Sequence, residues 1–166
     1  MGGVSTERPP FSAAALAEYQ DVLARYPTRR AALMPVLWIA QREFGWLSLP
    51  VQEYVAELME LPLAWVSSVA SFYTMYWKEP KGRWHLQVCR NLSCQLRGAR
   101  EVQRAIESRL GIRDGERTGD GAFSLEEVEC LASCDTAPVL QVNNAQYHER
   151  LDVPGALALI ERLATE

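Results

Sequence analysis

The sequence predicts an α/β protein in which a helical first half precedes a small α/β sandwich. Up to about residue 80, apolar residues recur three and four positions apart, which is the period of an amphipathic helix. After the turn-rich segment EPKG at 79–82, short apolar runs typical of strands appear among helical patterns, in the order β-α-β-β-α. We therefore expect two domains, a helical one over 1–80 and an α/β one over 81–166.

Four helices are expected in the first domain, each bounded by residues that cap or stop a helix. These signals are, in chain order, Ser12 and Pro27 for the first helix, Gly45 after the second, Ser48 with Pro50 for the third, and Leu61-Pro62 for the fourth. In the first helix, the residues expected to face the core are Leu16, Tyr19, Leu23 and Tyr26. The aromatic segment 72–77 is interpreted as core, with a docking face for a partner as the alternative.

In the second domain, two predicted strands each lead directly into a pair of cysteines. The first strand, 84–88, precedes Cys89, and the second, 123–129, precedes Cys130. A helix over 99–110 separates them, a short buried strand follows at 139–142, and a last helix begins near Asp152. Ligands at strand ends are positioned by a rigid scaffold, which suits a metal centre near one edge of the sheet.

The four cysteines of the chain form two closely spaced pairs. Cys89 and Cys94 read C-x4-C, and Cys130 and Cys134 read C-x3-C, with thirty-five residues between the pairs. Four thiolates from two loops are the ligand set of an iron–sulfur cluster or of a structural zinc. The wide spacings favour iron–sulfur over the C-x2-C knuckle usual in zinc ribbons, but the spacing alone leaves both open.

Other cysteine chemistry fits the sequence less well. Disulfides are a minor alternative, because the start of the chain lacks an export-signal pattern and the apolar core is sufficient without cross-links. A Rieske centre needs two histidine ligands, and neither of the two histidines, His85 and His148, lies in a paired-ligand pattern. Thioredoxin-type redox chemistry uses C-x-x-C, which the sequence does not contain.

Composition and motifs exclude several further functions. Seventeen Lys and Arg residues against twenty-one Asp and Glu residues give a net charge of −4, which offers no electrostatic footprint for nucleic acid. No run of about 18 apolar residues occurs, so direct membrane insertion is not expected. The sequence contains no G-x-G-x-x-G, and no nucleophile–base set remains once the cysteines are assigned as ligands. We therefore expect no catalytic residue in this chain.

The segments VCRNLSCQLRGA and TGDGAFSLEEVECLASCDTAPVLQVNN closely resemble the thioredoxin-like 2Fe-2S ferredoxin family. Its best-known members are the small 2Fe-2S subunits of NADH:quinone oxidoreductase, respiratory complex I. The stretches YPTRRAALMPVLWIAQREFGWLS and SSVASFYTMYW also look like that subunit, so the resemblance covers roughly residues 25–165. It implies a thioredoxin-like 2Fe-2S cluster domain over 81–166, preceded by a small N-terminal helical bundle that acts as an assembly domain. It also implies that Cys89, Cys94, Cys130 and Cys134 ligate one 2Fe-2S cluster.

By this resemblance, the chain is expected to be an electron-transfer subunit of an NADH dehydrogenase. The flavin FMN and the NADH site would belong to a partner subunit, with which the cluster exchanges one electron, and the same complex would contain further iron–sulfur subunits. The chain would lie peripherally on the cytoplasmic side of the inner membrane, held there by other subunits. The alternatives are the same module in an NAD-linked hydrogenase or formate dehydrogenase, an independent ferredoxin that forms a homodimer, and a zinc-stapled binding module.

The chain departs from the family pattern around its last two cysteines. Where the family often reads C-L-G-A-C-G, this chain has Ala132, Ser133 and Asp135. Ser133 is a candidate hydrogen-bond donor to sulfur, which would raise the reduction potential, whereas the charge of Asp135 would lower it. Arg90 and Arg97 lie close in sequence and are candidates to offset that charge.

Overall fold

A computed structural model describes residues 10–166 of the chain. Residues 1–9 lie outside the described part. They are the beginning of the expected helical domain and the segment in which no export-signal pattern was found. The chain divides into two structural units between Pro80 and Lys81, inside the EPKG segment. Each unit has a buried apolar cluster of its own, one drawn from residues 11–76 and the other from residues 86–163.

Within residues 10–80, the first unit consists of four helices. They are α1 (Ala13–Arg25), α2 (Leu33–Phe44), α3 (Leu49–Met59) and α4 (Leu63–Phe72). Ser12 and Ser48 cap α1 and α3, each accepting a hydrogen bond from the backbone N–H three residues later. Gly45 ends α2 in the left-handed conformation, with φ of +81°, which glycine adopts without steric cost. The four helices therefore begin and end where these local signals predicted.

The buried face of α1 differs from the expected one. Its buried residues are Ala15, Tyr19 and Val22, whereas Leu16 is 37% exposed and Tyr26 is 41% exposed. The reason lies in Phe11, which precedes the helix and stacks on a ring of α2 with centroids 5.7 Å apart. Because Phe11 is buried, the core-facing stripe runs through 11, 15, 19 and 22. Tyr19 faces the core as expected and Leu23 packs against it, whereas Leu16 and Tyr26 lie outside the stripe.

The aromatic segment at the end of the first unit is part core and part surface. Tyr76 is fully buried, and its hydroxyl donates a 2.8 Å hydrogen bond to the carbonyl of Met34. Phe72 is 78% exposed and meets the ring of Tyr73 edge-on, with centroids 5.1 Å apart. The core interpretation therefore holds for Tyr76, and it is wrong for Phe72.

The second unit, residues 81–166, contains a four-stranded mixed sheet with the strand order β2-β1-β3-β4. The strands are β1 (Trp84–Cys89), β2 (Phe123–Val128), β3 (Leu140–Val142) and β4 (Gln146–His148). β1 pairs in parallel with β2 and antiparallel with β3, which in turn pairs antiparallel with β4. The α/β class and the N-terminal helices expected from the sequence are confirmed.

Three α-helices complete the second unit, all of whose residues, 81–166, the structure describes. They are α5 (Leu92–Leu96), α6 (Ala99–Leu110) and α7 (Val153–Thr165), and a single turn of 3-10 helix covers Cys134–Thr136. The long helices α6 and α7 pack together and share the apolar cluster of the sheet. The sequence prediction omitted α5 and β4. Each is five residues or fewer, so neither shows a full period of apolar residues.

A buried polar network connects β1 and β2. His85 is fully buried; its Nδ1 lies 2.8 Å from Ser124 Oγ and its Nε2 lies 3.0 Å from Glu126 Oε2. Ser124 Oγ also accepts a hydrogen bond from the N–H of Gly82, and Lys81 Nζ lies 3.3 Å from the same Glu126 oxygen. The hydrogen bond from His85, followed by the charge of Lys81, lowers the pKa of Glu126 to about 2 against the opposing effect of burial.

Gly82 should tolerate no side chain, because the backbone of β2 passes directly over it. A Cβ at this position would lie 2.3 Å from the carbonyl carbon of Phe123 and 2.6 Å from the nitrogen of Ser124. We expect Gly82→Ala to lower the free energy of unfolding of this unit by about 2 kcal/mol or more, measured by urea titration. Gly119→Ala is the matched control, since a Cβ there meets nothing within 4 Å. Equal stability of the two variants would contradict this packing.

Glu126 should stabilise the second unit in a pH-dependent way. Since its folded pKa of about 2 lies below the usual 4.5, its contribution is complete above pH 4.5 and is lost as the pH falls towards 2. Glu126→Gln should therefore cost about 1–2 kcal/mol at pH 7, after allowance for solvent screening, and should flatten the decline of stability between pH 4.5 and 2. Glu127→Gln, on the opposite face of β2, is the control. Parallel acid profiles for wild type and Glu126→Gln would show that the carboxylate makes no such contribution.

Candidate metal centre

The parallel pairing of β1 and β2 brings both cysteine segments to one edge of the sheet. Cys89 is the last residue of β1 and pairs in register with Val128, the last residue of β2. Cys130 follows Val128 by two residues, so the two segments leave the sheet side by side. Arg90 and Glu129 connect them there, with Arg90 Nη2 2.5 Å and Nε 3.0 Å from Glu129 Oε1.

The second cysteine of the first pair lies in the short helix α5. Asn91 caps this helix by accepting a hydrogen bond from the N–H of Leu92, which turns the chain sharply after β1. Cys94 is only 2% exposed, whereas Leu92 and Leu96, on the outer side of the helix, are 70% and 77% exposed. The helix therefore directs its cysteine inward, and Cys89, at 2% exposure, is equally buried.

The second pair lies on an exposed loop. Cys130 Sγ and Cys134 Sγ are 3.4 Å apart, and Cys134 begins the 3-10 turn. Ala132 adopts a left-handed conformation, with φ of +63°, and its N–H donates to Cys130 Sγ over 3.3 Å. The glycine that the family often has at this position would adopt such a φ more easily, but the alanine adopts it as well.

The four cysteines are free thiols that interact across the two loops. Burial, followed by a hydrogen bond with Cys89, raises the pKa of Cys94 to about 11. A hydrogen bond with Cys130 raises the pKa of Cys134, which also interacts electrostatically with Cys89. Thiols of this kind are protonated at neutral pH, so a metal that binds them displaces protons.

The donor set fits a two-iron cluster. All four donors are sulfur, the soft ligand that iron–sulfur clusters use, and they stand as two pairs, as two iron atoms with two thiolates each require. Among residues 10–166, no group of three or more His, Cys, Asp or Glu side chains is arranged to hold one metal ion. The thiols are therefore arranged as two pairs at one edge of the sheet.

Two of the residues expected to tune the centre have other partners. The hydroxyl of Ser133 contacts the Glu149 carboxylate and lies 2.8 Å from Thr136 Oγ1, so it is not directed at sulfur. Arg90 pairs with Glu129 rather than with Asp135. The Ser133–Glu149 and Arg90–Glu129 contacts each join residues from different segments of the chain, and the order of residues in the sequence does not reveal them.

The structure also shows a contact that the sequence analysis missed. The short helix α5, which contains Cys94, packs against the 3-10 turn that begins with Cys134. The sequence gives no signal of this contact, because the two cysteines are forty positions apart in the chain.

The fold and the facing thiol pairs define a class of protein. The profile of the thioredoxin-like [2Fe-2S] ferredoxin family matches residues 19–164, so the chain belongs to this family, and membership implies one 2Fe-2S cluster. The chain is 49% identical over 144 residues to an NADH-quinone oxidoreductase subunit from Rhizobium meliloti (strain 1021), covering 87% of this chain and 85% of that protein. It is 48% identical over 132 residues to NADH-quinone oxidoreductase subunit 2 from Thermus thermophilus, covering 78% and 73%.

Solved structures show the same fold at lower sequence identity. A chain of the NAD+-reducing [NiFe]-hydrogenase in the H2-reduced state matches with a TM-score of 0.65 and 21% identity over 92% of this chain. The air-oxidized form of such a hydrogenase gives the same TM-score, with 22% identity over 97%. This chain spans 22% and 24% of those two hydrogenase chains. In the part of the chain that the structure describes, no helix is long and apolar enough to cross a membrane.

The burial of the thiols predicts two classes of reactivity. In chain prepared without metal, Cys130 and Cys134 should react with a thiol reagent at least about tenfold faster than the buried Cys89 and Cys94. Stopped-flow kinetics with a chromogenic disulfide would show two fast and two slow thiols. All four should become equally fast in denaturant.

A Cys130→Ser/Cys134→Ser variant should lose the fast phase, and Cys89→Ser/Cys94→Ser should keep it. Four equivalent thiols in the native chain would mean that the two pairs do not differ in burial.

Proposed function

We propose that this chain is an electron-transfer subunit of an NADH:quinone oxidoreductase and that Cys89, Cys94, Cys130 and Cys134 hold its 2Fe-2S cluster. The observation that carries the proposal is the convergence of four free thiols, as two pairs, at one edge of a thioredoxin-like sheet. The family membership supports the cofactor, and the names of relatives with 48% and 49% identity support the enzyme complex. The hydrogenases share only 21% and 22% identity, which favours the quinone-reducing complex over that alternative.

The residues of the chain have distinct roles in this proposal. When bound, a 2Fe-2S cluster stores and releases a single electron. The deprotonated sulfurs of Cys89 and Cys94 form the buried side of its binding site, and those of Cys130 and Cys134 form the exposed side. The N–H of Ala132 donates to the sulfur of Cys130 and stabilises its negative charge. The exposed pair gives the electron the shorter route to a partner.

The partner is proposed to be the subunit that binds FMN and NADH. The chain contains no G-x-G-x-x-G motif, so we assign hydride transfer to another subunit, and further iron–sulfur subunits carry the electron onward. The helical unit up to Pro80 is proposed as the assembly domain, and 81–166 as the cluster domain. Exposed Phe72, at the end of α4, is consistent with such a role, because aromatic residues anchor interfaces.

Location and assembly follow from the partner. We propose a peripheral position on the cytoplasmic side of the inner membrane, held through other subunits. In the absence of those subunits, the edge strand β4 offers backbone groups to a second copy, which would give a homodimer.

Metal loading tests the proposal directly. After anaerobic reconstitution, the chain should be brown, contain about two irons and give a rhombic EPR signal of one unpaired electron after dithionite reduction. Serine at any one of the four cysteine positions should abolish or destabilise the cluster, whereas Ser133→Ala, which removes a hydroxyl bonded to Thr136, should load normally. A colourless protein with one zinc would instead support the zinc-stapled binding module.

The electron-transfer role has its own test. Purified NADH-oxidising flavoprotein subunit should reduce the loaded chain in the presence of NADH, and NADH alone should not. A loaded chain that the flavoprotein neither binds nor reduces would argue for the independent ferredoxin.

A further inference from the structure

The outer side of the short helix α5 presents two leucines to solvent. Leu92 and Leu96 are four positions apart, which places them on the same side of the helix, and both are mostly exposed. All residues of the second unit are described, and its one other exposed large apolar side chain is Tyr147. The exposed apolar surface of this unit is therefore concentrated on the helix that contains Cys94.

The two leucines lie close to the exposed pair of thiols. α5 packs against the 3-10 turn that begins with Cys134, and Cys134 Sγ is 3.4 Å from Cys130 Sγ. A helix of five residues is only about 8 Å long, so every residue of α5 is near that turn. Because electron transfer requires close approach of the two redox groups, a protein that covers the exposed thiols also reaches the leucines.

The charges around the leucines are mainly positive. The segment 91–100 contains two arginines, Arg97 and Arg100, and no acidic residue, although the whole chain has twenty-one acidic residues against seventeen basic ones. Both arginines are exposed, and Asp135 is the one charged residue of the neighbouring 3-10 turn. Arginine is enriched in protein interfaces and acidic residues are depleted there. A positive surface also favours a partner whose contact surface contains carboxylates.

We propose that Leu92, Leu96, Arg97 and Arg100 form the docking surface for the redox partner, which meets this α5 surface with an apolar pocket bordered by carboxylates. The inference rests on the proposed function, because it takes the exposed thiols to hold the cluster. It adds the side of the chain that the partner covers and the chemistry of the covering surface. Burial of the leucines supplies the apolar contact, and the arginines steer the approach of the partner.

The first test measures binding by the full chain loaded with its cluster. The probe is the purified NADH-oxidising flavoprotein subunit, and its Kd is measured anaerobically by biolayer interferometry. Leu92→Ser/Leu96→Ser should raise the Kd at least about tenfold, because truncation of central apolar contacts weakens interfaces by this order. Tyr147→Ser, which removes an exposed apolar side chain from β4, is the control and should retain the wild-type Kd. Equal Kd values for wild type and the leucine variant would overturn the proposal.

A salt titration tests the charge of the partner surface. The Kd of the wild-type chain should rise with ionic strength, and Arg97→Gln/Arg100→Gln should make it less dependent on salt. Arg113→Gln/Arg117→Gln removes the same charge from two exposed residues beyond the other end of α6, and it should retain the wild-type salt dependence. A Kd that neither salt nor the first pair of substitutions changes would overturn the carboxylate-bearing surface.

Reduction kinetics separate docking from an effect on the cluster itself. With NADH present, the leucine variant should be reduced more slowly than wild type at low flavoprotein concentration and equally fast at saturation. Its midpoint potential, from an EPR-monitored titration, should equal that of wild type. A slow rate that persists at saturation together with a shifted midpoint would mean that the leucines act on the cluster rather than on docking.

The possible results separate the two proposals. If the flavoprotein neither binds nor reduces the loaded wild-type chain, the proposed function fails. If it binds and reduces wild type and the leucine variant equally well, the docking surface alone is overturned. A loaded wild-type chain that sediments as a dimer, when the leucine variant is monomeric and binds flavoprotein normally, would assign the α5 surface to a second copy.

A further variant covers the case in which Leu92→Ser/Leu96→Ser does not hold a cluster. Leu92→Gln/Leu96→Gln also removes the apolar contact but keeps long side chains that favour a helix, so it provides the comparison. Loss of the cluster in both variants would overturn the docking role in favour of a structural one.

Discussion

The parallel pairing of β1 with β2 is the constraint on which the second unit depends. The two strands run in register from Trp84 opposite Phe123 to Cys89 opposite Val128. Parallel strands end at the same edge of a sheet, so a cysteine pair placed after each strand must arrive at one place. The crossover through α6 joins the two strands, so segments far apart in sequence reach the same edge. At the other ends of the strands, buried His85 contacts Ser124, the residue opposite it on β2, and this contact fixes the two strands there. The ligand loops thus start from fixed positions.

The two pairs of thiols differ in their surroundings, and this difference has a physical cause. Cys89 ends a strand and Cys94 faces inward from α5, so both belong to the apolar interior with Val139. Cys130 and Cys134 stand on a loop outside the sheet and remain exposed. A cluster with four thiolates carries negative charge, which is expensive to bury completely. A half-exposed site lowers that cost and also leaves one side accessible to a redox partner.

The two units contribute in different ways to the proposed subunit. The first unit has no cysteine, and its helices bury their own apolar faces around Leu37, Val55 and Tyr76. The second unit contains every proposed ligand. The 49% identity to a subunit of NADH-quinone oxidoreductase holds over 87% of the chain, so the likeness includes both units rather than the cluster domain alone.

Features that depend on near neighbours could be predicted from the amino-acid sequence. The caps Ser12 and Ser48, the stop at Gly45 and the main strands belong to this group, because hydrogen bonds within a few residues and side-chain period decide them. The cysteine spacing indicated the candidate site for a similar reason, since each pair is local.

Features that depend on packing between distant segments required the folded structure. Which face of α1 is buried follows from Phe11, which packs against α2 more than thirty positions away. The partners of Arg90 and Ser133 likewise come from other segments of the chain. Contacts of this kind leave no periodic signal in the sequence, because only the tertiary fold brings the two partners together.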